Sequence, residues 1–158
     1  MDVLTHERLQ WEVAAELVEL RAAGETDAAS RSPAPEPSDR WIAVPRDALR
    51  VAAVQYHPLD VIAVLRASPD QLKDLAARTA CLCYWGRLEG ESIRILELDP
   101  ITATVVAGVD GRRSVADVVS IAQDALSEDV TPADLRFVLD AAVGRGLVGL
   151  VEPAAGGR

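Results

Sequence analysis

The feature that most constrains this chain is a β-hairpin followed at once by three separately capped helices. Residues 81–88 (CLCYWGRL) and 92–98 (SIRILEL) flank Glu89-Gly90-Glu91, a turn-forming spacer, and Ile93 and Ile95 alternate with Arg94 and Leu96. Asp99-Pro100 then opens a helix over 101–109 that the Asp110-Gly111 turn closes. Ser114 and Asp117 have capping-box spacing and predict a second helix over 115–126. Thr131-Pro132 with Asp134 starts a third, from 133 to about Gly144. Gly146 ends it, and LVGLVEP leaves as a short strand. Strand, strand, helix, helix, helix, strand is an α+β order, and three short helices beside a small antiparallel sheet predict a winged-helix-like domain.

The N-terminal half reads differently. Leu9, Val13, Leu17 and Leu20 form one apolar stripe in a helix over 4–23, with Glu7, Glu12, Glu16 and Glu19 off it and Gly24 as a stop. Residues 25–40 are rich in Ala, Ser and Pro and nearly devoid of large apolar side chains, the composition of a linker. The helical arm before it must therefore dock on this chain or on a partner. Past the linker, WIAV and RVAAVQY are β-compatible runs, residues 60–68 suggest a short helix, and Ser68-Pro69-Asp70-Gln71 predicts another to about Thr79. The expected organisation is an N-terminal helix (1–24), a linker (25–40), a mixed strand and helix segment (41–80), a recognition domain (81–153) and a disordered tail (154–158).

Charge narrows the partners. The net charge is −9, and Lys and Arg on phosphates supply most duplex affinity, so nucleic acid and anionic membranes are expected to be poor partners. Residues 81–151 hold six arginines, no lysine and eleven acidic residues. The helix that would enter a major groove has Arg136 and Arg145 against Asp134 and Asp140, which argues against a winged-helix transcriptional regulator. No apolar run is long enough to span a bilayer, and the first residues lack the pattern of a secretory signal. Two cysteines without export signals point to the cytoplasm.

Chemistry-bearing clusters are sparse. Cys81 and Cys83 share one face of a strand, but a metal site needs about four ligands, and both His6 and His57 are distant in sequence; buried thiols are the expectation. His57-Pro58 beside Tyr56 and Asp60 is more typical of a turn than of a proton-transfer cluster. The chain carries no nucleophile elbow, zinc-protease helix or phosphate-cradling loop. Neither an enzyme nor a cofactor is expected.

One resemblance is specific in its order and spacing. Leu98-Asp99, then Asp110-Gly111-Arg112-Arg113-Ser114-Val115-Ala116-Asp117, then Gly146-Leu147-Val148, make residues 81–151 resemble the PqqD-like proteins, the RiPP recognition elements. The resemblance implies a subunit that binds the leader of a ribosomally synthesised precursor peptide by strand addition and delivers it to a modifying enzyme. Carried onto this sequence, the receiving edge is 92–98, with Ile93, Arg94, Ile95, Leu96 and Glu97, and the facing helix offers Arg136, Phe137, Asp140 and Val143. Phe137, the only Phe, suits either the core or a peptide pocket. Residues 1–80 exceed the family's pattern. They either supply a third strand, from 41–44 or 51–56, or contact the enzyme, a metalloenzyme being one candidate, in a hetero-oligomer. For that interface the expected anchors are Leu9, Trp11, Val13, Leu17 and Trp41, Trp being a frequent hot spot; Trp85 reads as core. The alternative is an obligate structural subunit of such an enzyme that binds no leader.

Overall fold

The computed structural model describes residues 2–23, 38–87, 92–126 and 129–153. The expected linker falls almost wholly outside them, as do the hairpin spacer and the tail. Helix α1 (Asp2–Ala22) comes first, followed by strands β1 (Ile42–Pro45) and β2 (Ala48–Val54), helix α2 (Pro58–Ala67) and a 3-10 helix (Pro69–Asp74). The hairpin is β3 (Ala80–Gly86) and β4 (Ile93–Leu98); α3 (Pro100–Ala107), α4 (Val115–Ala125), α5 (Pro132–Gly144) and β5 (Val148–Val151) complete the chain. The protein is an α+β fold built on small antiparallel sheets.

Local chemistry explains where the last three helices begin. Asp99 accepts from the Thr102 amide at 2.9 Å, while Ser114 with Asp117 and Thr131 with Asp134 form complete capping boxes. Pro100 and Pro132 occupy first-turn positions, where a missing N–H costs nothing. Gly111 and Gly146 both lie at φ 77°, the left-handed turns that the Asp-Gly and Arg-Gly steps require.

The main sheet has the order β2-β3-β4, all antiparallel. Val54 stands opposite Ala80 and Ala48 opposite Gly86, while Cys81 faces Leu98 and Gly86 faces Ile93. The third strand thus comes from 48–54. The run at 41–44 instead forms β1, which pairs antiparallel with β5. Ala43 N donates to Arg113 O and Val115 N to Trp41 O, so β1 also ties down the α3–α4 connection. Of the two roles expected for the N-terminal half, segment 41–80 takes the one that supplies strands, β2 to the main sheet and β1 to β5. The cause is visible in β2, which carries apolar residues on both sides, Ala48 and Val54 toward α1 and Leu49 and Val51 toward the larger core.

Two cores result. Cys83, Trp85 and Leu98 lie with the buried residues of α3, α4, α5 and β5, and Leu49, Val51 and Leu96 pack against them. On the opposite face of the sheet, Leu9, Val13 and Leu17 of α1 bury against Ala48, Val54, Ala80, Leu82 and Tyr84. That arrangement corrects the expectation that Leu9, Val13 and Leu17 anchor a partner. An uncovered second sheet face would leave Leu82 and Tyr84 in water, and the α1 stripe satisfies it within the chain. Trp41, too, packs half-buried against the larger core instead of standing out as an anchor. The helix expected over 69–79 is another correction. Only Pro69–Asp74 winds, as a 3-10 helix with no buried residue, and a turn with no face to bury has nothing to offset helix nucleation. Residues 75–79 instead run into β3, with Arg78 N bonded to Gln55 O at 2.9 Å.

Candidate functional site

Among the described residues β4 pairs with β3 alone, and no described strand takes up the backbone donors and acceptors of its outer edge. Its side chains divide by the register. Arg94, Leu96 and Leu98 lie opposite Trp85, Cys83 and Cys81 and share the face toward the helices. Ile93, Ile95 and Glu97 lie opposite Gly86, Tyr84 and Leu82, on the face that α1 covers. Ile95 remains 38% exposed. At the C-terminal end of the strand, Glu97 Oε2 pairs with Arg78 Nη2 at 3.2 Å and lies 3.8 Å from His57 Nε2.

A groove of about 420 Å³ runs between this strand and α1, lined by Gln10, Ala14, Leu17, Val18, Arg21 and Ile93. It exists because α1 comes close to the hairpin. A Cβ at Gly86 would lie 2.9 Å from both Leu17 Cγ and Val13 Cγ1, so only glycine admits the helix here. Farther toward the helix N-terminus, His6 Nδ1 and the Tyr84 hydroxyl are 2.9 Å apart. Burial lowers the His6 pKa, an effect opposed by Glu7 and reinforced by His57. Burial likewise raises that of Tyr84. Gln10, Ala14, Val18 and Arg21 were not among the sequence-derived candidates. Their i, i+4, i+8, i+11 spacing marks a flank of α1, but only the docked sheet gives that flank a function.

The α5 residues expected to face β4 do not gather there. Arg136 bonds Asp140 Oδ1 at 3.1 Å through Nε and reaches Asp39 through Nη1. It lines a different groove, about 480 Å³, between α4 and α5, with Val119, Ser120, Gln123 and Asp124. An acidic ligand would have to compete with both carboxylates for that guanidinium. Val143 packs against the larger core. Phe137 is 75% exposed, which removes the core reading for this residue. In helical projection it lies roughly opposite Leu135 and Leu139.

The remaining candidates take structural roles. Cys81 and Cys83 are free thiols on the helix-facing side of β3, and burial pushes Cys83 up to about 12, which keeps it protonated. Among the described residues, no group of three or more His, Cys, Asp or Glu side chains could hold a metal ion. His57 Nδ1 accepts from Leu59 N at 3.3 Å and caps α2. Trp85 is buried; its indole N–H donates to Asp47 Oδ2 at 3.2 Å, and the Arg87 guanidinium stands 5.4 Å from its ring. Trp11, by contrast, is 76% exposed. No helix among the described residues is long and apolar enough to cross a membrane. No known family model matches this chain, and neither a curated protein nor a solved structure does.

Proposed function

We propose that the protein is a non-enzymatic recognition subunit that takes up an extended peptide, the leader of a ribosomally synthesised precursor, as an added strand on β4 and delivers it to a modifying enzyme. The observation that carries this reading is the β4 edge, which no other described strand pairs and where Ile93 and Ile95 alternate with Arg94 and Leu96 beside a groove. Backbone pairing at such an edge supplies affinity, and pockets for alternate side chains supply selectivity. The resemblance of residues 81–151 to the PqqD-like proteins supports the same edge independently.

A winged-helix-like description fits this reading. The helices α3, α4 and α5 would be the helical unit, and β5 with β1 the wing, one of whose strands comes from the N-terminal half. Contact with the enzyme falls to the outer face of α1, where Leu4 and Trp11 are exposed at heptad spacing.

Amide hydrogen exchange on the full chain tests the reading, using synthetic peptides selected on it from a random dodecapeptide display library. Protection gained on binding should concentrate in residues 93–98. Bound peptides that leave those amides unprotected would sink strand addition.

A further inference from the structure

Building on the strand-addition reading, we infer that α1 is a second wall of the peptide site and selects an occupant with two apolar side chains at positions i and i+2. A strand added to β4 continues the pleat, so its alternate side chains emerge on the face shared by Ile93 and Ile95. That face is walled by Ala14 and Val18, with Gln10 and Arg21 as polar ends.

The wall has the right repeat. Four helical residues rise about 6 Å and two strand residues about 6.7 Å. Gln10, Ala14 and Val18 therefore repeat along the groove at nearly the spacing of alternate residues in a strand. Ala14 leaves room where a larger side chain would fill the groove. Val18 is 64% exposed, and an aliphatic side chain seated between it and Ile93 would cover apolar surface on both.

The opposite edge of the sheet excludes the same occupant. There Arg50 pairs with Glu16 at 2.7 Å, lies 3.9 Å from Glu12, and bonds the Leu49 carbonyl at 2.8 Å. Charge at a sheet edge blunts strand addition. The two flanks of one helix thus close β2 and furnish β4.

The test uses the full-length chain and the same random dodecapeptide library, with affinities by fluorescence anisotropy. Enriched peptides should carry aliphatic residues two positions apart. Val18→Asp should weaken them about tenfold, while Ala15→Asp, an exposed charge off the groove, stays within about twofold of the parent. Ala14→Glu repeats the test at the next step of the wall. Reselection on Val18→Lys should turn one of the two aliphatic positions acidic, a shift that general loosening of α1 would not produce. Equal binding and unchanged preference in Val18→Asp and Ala15→Asp, with residues 93–98 still protected by peptide, would overturn the role of α1 and leave strand addition standing. Failure to enrich any peptide, or a β4 edge protected by self-association of the free chain, would overturn both.

Discussion

The two edges of the β2-β3-β4 sheet are flanked by the same helix and end in opposite states. On the β2 side, α1 presents Glu12 and Glu16 to Arg50, and the guanidinium also occupies the Leu49 carbonyl. On the β4 side it presents Ala14 and Val18 to Ile93, and no second strand pairs with β4 among the described residues. The difference teaches that one amphipathic helix can close an edge and prepare another. Its stripe of Leu9, Val13 and Leu17 sets the position, and its two flanks decide the chemistry.

The largest effect should come from removing the seat that both flanks share. Leu82 is fully buried beneath α1, and Leu82→Ala should cost about 2–5 kcal/mol, the range for a truncated core leucine. Urea unfolding monitored by circular dichroism measures it. A loss under about 1 kcal/mol would mean that α1 is not held by this core.

Gly86→Val breaks the comparison at one end only. Its side chain would press on Leu17 and Val13 beside the β4 groove, and overpacking of this kind costs about 1–3 kcal/mol. Hydrogen exchange should quicken in the C-terminal half of α1 and change less at the His6 end. Uniform quickening along the helix would show that α1 responds as one rigid unit.

How much of this was legible beforehand depends on whether the signal was local. Caps and turns were: Asp99, Ser114 with Asp117, and Thr131 with Asp134 begin their helices where the residue spacing places them. The hairpin was readable from alternation on either side of a turn-forming spacer. The assignment of β2 to the main sheet and β1 to β5 was not, because both runs are β-compatible and only long-range pairing chooses between them. The stripe on α1 was visible but ambiguous, since a buried stripe looks the same whether its partner lies on this chain or another. Phe137 shows the reverse problem. Its apolar character suggested burial, and only the packing of Leu135 and Leu139 leaves it outside. The α4–α5 groove was unforeseen, because it depends on Asp39 being brought to Arg136 across most of the chain.

A smaller change should reverse the contrast between the edges. Arg50→Ala removes both ion pairs, which are partly exposed and together contribute about 0–1 kcal/mol. Stability should barely move, but the β2 edge loses its charge and its engaged carbonyl. Analytical ultracentrifugation should then detect self-association absent from the parent chain, and Leu49→Lys in the same background should suppress it. A monomeric Arg50→Ala chain would mean that something other than this charge protects β2.

The smallest effect is a pH dependence at the His6 end of α1. With the Gln10 amide nitrogen 3.2 Å from Nε2 and donating to it, the neutral ring carries its proton on Nδ1 and donates to the Tyr84 hydroxyl. A second proton would charge a partly buried ring, and this burial, reinforced by His57 and opposed by Glu7, holds the folded-state pKa below 6.5. Between that lowered value and 6.5 the unfolded chain binds more protons than the folded one, so stability rises with pH across this window. The contribution is fully present above 6.5, declines as pH falls, and levels off below the folded value. Urea midpoints at about pH 7.5 and pH 5.5 should therefore differ in the parent chain by more than in His6→Gln, whose side chain does not titrate. An identical pH dependence in the two proteins would remove His6 from the anchoring of α1 and leave the apolar stripe to hold the helix alone.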